Sequence, residues 1–304
     1  MGSLKVLVSL ITSDNDFQQY QASAAEEAAH KLGVENQIVY ANNDSVEQTQ
    51  LLLEAIQSRT QRADAILVEP VGTGMIKVAQ AAVAAGIAWV VLNRDVDYIA
   101  DLRRNSSVPT FAVSADHYAV GQIQGRQFGA LLKEGGCVLY VEGPSSGAVA
   151  PPRTSGMLST KPRNVDIKTL KGDWTARHAC NAVRSWLRLS TSRQLRVGVI
   201  GCQNDAMASG ARRAFEELSD HGERDKWLNL PFTGCDGIPE TGQSWVRRGI
   251  LSATVVIPPT AGLALELLVK AVQAGTHPPE RTLVSPSSFP AIEDLSGKFA
   301  KGSS

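Results

Sequence analysis

The sequence predicts an α/β protein of two lobes, each a parallel sheet flanked by helices, and three observations carry that prediction. First, apolar runs of strand length alternate with helical runs almost throughout, the rhythm of parallel sheets covered on both faces. Second, several strand-like runs stop at side chains that form hydrogen bonds. Ile66-Leu67-Val68 ends at Glu69, Ala88–Leu92 at Asn93-Arg94-Asp95, Val197–Cys202 at Gln203-Asn204-Asp205 and Pro231–Cys235 at Asp236-Gly237. Third, 304 residues exceed one typical domain and suit two. Ligands of open parallel sheets sit outside the carboxyl ends of the strands. Polar ends in both halves therefore predict two lobes facing one polar ligand.

The elements follow in order. Leu4–Leu10 reads as the first strand, and Phe17–Leu32, rich in Ala, Glu and Gln, as a helix that Gly33 stops. Gln37–Tyr40 is a strand and Val46–Ser58 a helix; Ile66–Val68, Gly74–Ala85 and Ile87–Leu92 continue as strand, helix and strand. The polar, charged stretch Asp97–Pro109 interrupts the rhythm, which resumes with strand Thr110–Ser114 and helix Tyr118–Leu132. Strands Cys137–Val141, Asp166–Leu170, Arg196–Ile200 and Pro231–Cys235 follow, with helices Thr175–Leu189 and Ala206–Leu218 between them. A late strand, Ser252–Ile257, precedes the helix Ala261–Ala274. No low-complexity linker divides the halves, so strands crossing between the lobes are expected to join them.

Composition removes several functions. The 30 basic and 30 acidic residues leave no net basic field, which excludes nucleic acid as a partner of this chain alone. The longest apolar stretch, Ala79–Leu92, contains Gln80, is broken by Gly86 and falls short of the ~20 residues a membrane span needs. The Leu4–Leu10 run lacks a basic flank and a small-residue cleavage site, and so reads as a strand rather than a signal peptide. Met1-Gly2-Ser3 and Gly302-Ser303-Ser304 read as ends added for expression, with a natural targeting segment trimmed away. Cys137, Cys180, Cys202 and Cys235 show no CxxC and no His at metal-ligand spacing. They read as buried free thiols, with a Cys202–Cys235 disulfide left open by their matching strand ends.

Nothing recommends catalysis, a cofactor or a metal. Gly143-Pro-Ser145-Ser-Gly147 follows a strand and matches the G-x-S-x-G elbow of serine hydrolases, with Asp236 and His277 in triad order. An elbow runs directly into a helix, whereas Pro151-Pro152 close behind are expected to prevent a regular one; a glycine-serine loop is the better reading. Gly72-Thr73-Gly74 lacks the Lys and the full spacing of a phosphate loop. The binding candidates lie elsewhere. Arg94 sits at a strand end, and its planar fork of donors, like that of Arg153, suits neighbouring hydroxyls. Phe17 and Trp174 lie among polar residues, as rings that stack on a ligand do.

In order, Asn15-Asp16-Phe17, Leu92-Asn93-Arg94, Arg153-Thr-Ser-Gly156, Gly172-Asp173-Trp174, Gln203-Asn204-Asp205-Ala206-Met207-Ala208-Ser209-Gly210-Ala211 and Gly234-Cys235-Asp236-Gly237 form a recognisable set. On these residues the chain resembles the type I periplasmic binding proteins of bacterial ABC transporters, in particular the ribose-binding-like sugar group, over essentially its whole length. The resemblance implies two Rossmann-like lobes, residues 1–115 with 258–285 and 116–257 with 286–304, joined by a three-segment hinge with the ligand in the cleft between them. The crossings would lie near Ser114-Ala115-Asp116, Ile257-Pro258 and Ser285-Pro286. It further implies that Asn15, Phe17, Asn93 and Arg94 of the first lobe and Arg153, Trp174, Asn204 and Asp236 of the second bind the ligand. Phe17 and Trp174 would sandwich a sugar ring, Arg and Asn would donate to its hydroxyls, and Asp236 would accept from them.

The chain departs from the ribose binders at four points. Asn93-Arg94 replaces Asp-Arg, Ile257 replaces a glutamine near the hinge, Gln18 replaces a second aromatic, and Glu69 replaces a frequent Asn. Glu69 joins the candidate ligand residues, and the shift of acceptors widens the expected ligands to other monosaccharides, inositol-like polyols and amino sugars. The resemblance implies an extracytoplasmic, monomeric solute-binding protein that passes a small polyhydroxylated ligand to a membrane permease. Two alternatives stand beside it: the effector domain of a lactose-repressor-type regulator, and a hydrolase using Ser145.

Overall fold

The structure, a computed structural model, describes residues 3–60 and 62–298; the two ends read as expression-derived fall largely outside them. The chain begins with β1 (Lys5–Leu10), α1 (Asp16–Leu32), β2 (Glu35–Tyr40), α2 (Ser45–Gln57), β3 (Ala65–Val68), α3 (Ile76–Ala84), β4 (Ala88–Leu92), α4 (Ile99–Arg104) and β5 (Thr110–Ala115). It continues through α5 (His117–Leu131), β6 (Gly136–Glu142), α6 (Ala150–Thr160), β7 (Val165–Lys171), α7 (Ala176–Leu187), α8 (Ser190–Gln194), β8 (Val197–Cys202) and α9 (Asp205–Glu216). Then come α10 (His221–Leu228), β9 (Phe232–Asp236), a π turn at Pro239–Gln243, α11 (Ser244–Arg247), β10 (Ala253–Val256), α12 (Thr260–Ala274), β11 (Arg281–Val284), β12 (Ser287–Phe289) and α13 (Ile292–Lys298). Two units result: Met1–Ala115 with Pro259–Val284, and Asp116–Pro258 with Ser285–Ser304.

The first unit holds a six-stranded sheet in the order β11-β5-β4-β3-β1-β2, parallel throughout. The second holds another in the order β12-β10-β9-β8-β6-β7, parallel except that β12 runs antiparallel on β10. Without the strands added at one edge, the two sheets repeat one topology. In each, the order reverses between the first and third strands, β1 and β3 in one unit and β6 and β8 in the other. Such a reversal opens a crevice at the carboxyl ends.

Alternating side chains explain why the strands read as unbroken apolar runs. In β1, Val6, Val8 and Leu10 face α1 and α12, whereas Leu7 joins Leu52, Ile66 and Trp89 on the opposite face. In the second unit, Leu139 and Ile200 pack with Trp186, Phe215 and Trp227 on one side, and Val138 and Val199 with Phe128 and Met157 on the other.

Two expectations need correction. Pro151-Pro152 do not prevent a helix: they occupy the first turn of α6, where a missing N–H is unpaired in any case and the fixed φ suits helix entry. The charged stretch Asp97–Pro109 contains α4, which buries Ile99 and Leu102. Gly156, part of the family-like motif, has a mechanical reason: a Cβ there would lie 2.0 Å from the Tyr118 carbonyl oxygen, and one on Gly121 would lie 1.9 Å from that of Arg153. This close crossing of α5 and α6 fixes the backbone from which Arg153 projects.

Candidate functional site

In the first unit the candidates gather at the carboxyl ends of β1, β3 and β4, beside the sheet's switch point. Asn15 is the N-cap of α1; its Oδ1 accepts from the N–H groups of Phe17 at 2.9 Å and Gln18 at 3.3 Å. Phe17 sits in the first helical turn and is buried. Glu69 follows β3 and is anchored twice through its backbone, donating to the Ser9 carbonyl at 2.9 Å and accepting from the Gln48 side chain at 2.9 Å. Asn93 follows β4, and its Nδ2 donates to Glu69 Oε1 at 3.0 Å. Next to it, half-buried Arg94 has a buried Nε with no hydrogen-bond partner.

In the second unit the candidates gather at the ends of β7, β8 and β9 and on α6. Arg153 is 3% exposed; its guanidinium donates to the Gln203 carbonyl and, at 3.4 Å, to His117 Nδ1, and lies 5.6 Å from the centre of the Trp174 ring. Asn204 is the N-cap of α9, accepting from the Met207 N–H at 2.9 Å, and its Nδ2 donates to the Trp174 carbonyl at 3.0 Å. One Asn thus caps a helix and holds the loop that carries the indole. Gln203 braces the same region, accepting from the Gly143 N–H at 2.9 Å and donating to Thr154 Oγ1 at 2.9 Å. Asp236 ends β9, and its carbonyl accepts from the Ile257 N–H at 3.0 Å.

Asp205, noticed in the sequence only as part of a motif, proves to be a buried neighbour of this group. Its carboxylate accepts from the Gly237 N–H at 2.8 Å and from Thr254 Oγ1 at 2.7 Å. Burial, and then the charge of Asp236, push its carboxyl well above the ordinary aspartate range. Asp205 therefore holds the turn after β9 and with it the backbone of Asp236.

A backbone feature picks out the same places. Among the described residues, five non-glycines adopt positive φ: Asn42 and Asn43 in a turn, then Asn93 at 53°, Trp174 at 75° and Asp236 at 101°. Asn tolerates that region; Trp and Asp at such values are uncommon and persist where surrounding contacts over-determine them. Asn93, Trp174 and Asp236 are all candidate ligand residues, so the strain falls where binding is expected.

The remaining candidates separate from these clusters. Ser145 lies exposed in a turn, and α6 begins only at Ala150, so no sharp strand-to-helix elbow forms. All four cysteines are free and buried, and the Cys235 thiol donates to the Cys202 carbonyl at 3.9 Å. Burial holds the Cys202 and Cys235 thiols well above their usual range. Among the described residues no group of three His, Cys, Asp or Glu is placed to hold a metal ion, and no helix is long and apolar enough to cross a membrane.

Comparison with known proteins gives one consistent picture. The family model described as periplasmic binding protein domain matches residues 6–276. A D-apiose import binding protein of Paraburkholderia graminis is 24% identical over 92% of this chain and 85% of its own length. The ribose import binding protein of Bacillus subtilis is 26% identical over 83% of this chain and 75% of its own. Among solved structures, an ABC transporter periplasmic solute-binding protein from Actinobacillus succinogenes with bound D-allose superposes with a TM-score of 0.81 at 21% identity, covering 97% of this chain and 100% of that one.

Proposed function

The chain belongs to the periplasmic binding protein family, and on that premise we propose that it captures one monosaccharide or related polyol for an ABC importer. The observation that carries this reading is the duplicated placement of polar side chains at the carboxyl ends beside both switch points, with a positive φ at the candidates Asn93, Trp174 and Asp236. In this reading Phe17 and Trp174 stack on the apolar faces of a sugar ring. Asn15, Asn93, Arg94, Arg153 and Asn204 donate to its hydroxyls, and Glu69 and Asp236 accept from them. Unpaired buried polar groups cost ~1–3 kcal/mol each, so a ligand dense in hydroxyls is the chemistry that such a site rewards. Three chain crossings, at 115/116, 258/259 and 284/285, join the two units.

The protein works outside the cytoplasm as a monomer, docks on a membrane permease, and turns nothing over. Relatives whose names specify apiose and ribose, and a structural neighbour holding allose, support a sugar as the ligand class. A thermal-shift screen against pentoses, hexoses, amino sugars, sugar acids and inositols tests the reading. A ligand at about 100 times its dissociation constant adds ~2.7 kcal/mol of stability. At roughly 2–4 °C per kcal/mol that is a shift of several degrees; a flat panel contradicts the proposal.

A further inference from the structure

Three of the four departures from the ribose-binder pattern, far apart in sequence, meet in one hydrogen-bonded group in the first unit. Gln18 Nε2 donates to Glu69 Oε2 at 2.9 Å, and Asn93 Nδ2 donates to Glu69 Oε1 at 3.0 Å. The Gln18 amide cannot turn the other way round without loss, because its Oε1 already accepts from the Ile11 N–H at 2.9 Å. All three side chains are buried, with exposures of 5% for Gln18, 2% for Glu69 and 5% for Asn93. Glu69 is also fixed through its backbone by Ser9 and Gln48. An acceptor held this firmly has one orientation to offer a ligand.

We propose that Gln18 is a positioning residue that, with Asn93, fixes the Glu69 carboxylate as the acceptor by which the first unit selects a hydroxyl-bearing ligand. The inference rests on the sugar-binding reading above. Gln18 stands where a stacking ring is found in the ribose binders and here acts through Glu69. The carboxylate expected at 93 has moved to 69, and Asn93 has become a donor to it.

A charge swap tests this. Gln18→Glu preserves size and the bond from Ile11 but faces carboxylate with carboxylate. It is expected to lower the melting temperature at about pH 7.5, with partial recovery as the pH is lowered, because two close carboxyls can share a proton. Gln18→Glu combined with Glu69→Gln restores donor to acceptor: the new amide at position 69 accepts from Asn93 and donates to the carboxylate at position 18. The double variant is expected to regain the melting temperature. It is nevertheless expected to bind the best of D-ribose, D-apiose, D-allose and myo-inositol at least about tenfold more weakly than the unaltered protein, because a good buried acceptor is lost from its place. Unaltered affinity in the double variant overturns the proposal, as does a Gln18→Glu protein that melts and binds at that higher pH like the parent. A parent protein that binds no member of the whole sugar and polyol panel contradicts the sugar reading and this proposal with it. The melting curves alone then still report whether Gln18 and Glu69 are in contact, which separates the two failures.

Discussion

The Trp174 indole lies against the backbone of Gly143: a Cβ added to Gly143 would come within 2.2 Å of the ring's Cζ2. The ring is held from three further directions, by a left-handed backbone at φ 75°, by Asn204 on its carbonyl and by the Arg153 guanidinium 5.6 Å from its centre. Gly143→Ala is therefore expected to displace the indole and weaken sugar binding. A stacking contact is worth ~0.5–1.5 kcal/mol, so the loss is roughly two- to tenfold. The tryptophan emission difference spectrum of Gly143→Ala against the parent reports the displacement; an unchanged spectrum and affinity contradict it.

Gly210 gives a purely structural counterpart. A Cβ there would lie 1.9 Å from the Ala176 carbonyl oxygen, where α9 crosses α7. Overpacking of this kind costs ~1–3 kcal/mol. Gly210→Ala is expected to lower the melting temperature by several degrees at roughly 2–4 °C per kcal/mol. A melting temperature equal to the parent's would show that the two helices separate freely.

Gln21 caps α12 from a distance. Its Oε1 accepts from the N–H groups of Thr260 at 2.8 Å and Ala261 at 3.0 Å, and its Nε2 donates to Thr260 Oγ1 at 2.9 Å. α12 has no side-chain cap from its own N-cap residue, Pro259. Gln21→Leu leaves those buried N–H groups unpaired, a loss of ~1–3 kcal/mol, to be measured by urea unfolding. A midpoint within error of the parent's contradicts the capping role.

Asp205 makes stability depend on pH. Burial, and secondarily Asp236, raise its carboxyl well above the unfolded value of 3.8, while Thr254 and Gly237 oppose the shift. A raised folded-state value means that the contribution is full below the unfolded pKa and is lost as pH rises toward the folded one. Asp205→Asn keeps an acceptor for Gly237 and offers an N–H to the Thr254 hydroxyl, without the charge. Its melting temperature relative to the parent is expected to climb as the pH is raised above the unfolded value of 3.8; a constant difference contradicts the assignment.

The central strands were legible because they are buried on both faces, so that stretches such as Val138–Val141 read as unbroken apolar runs; the short, partly exposed edge strands β11 and β12 were not. α6 was not, because Pro151-Pro152 mark a helix start as readily as a break and only the tertiary crossing with α5 decides between them. α10 escaped notice because it buries only Trp227 among its eight residues. Among the site candidates, Asn93 and Arg94 stood out as polar residues at a strand end. The role of Gln18 did not, since its partner Glu69 is 51 positions away and only the fold brings them together. The positive φ of Trp174 and Asp236 has no signature in residue type at all.

The central claim is that the polar side chains at the carboxyl ends of each sheet serve sugar binding. Isothermal titration of the parent, Arg94→Ala and Asp236→Ala with the best sugar from the thermal-shift screen tests it most directly, one substitution lying in each unit. The account predicts one site per chain in the parent, and affinity reduced at least about fivefold by either substitution, as loss of a polar partner entails (~1–3 kcal/mol). Parent-like affinity in either variant, with the fold intact by its melting curve, would contradict it.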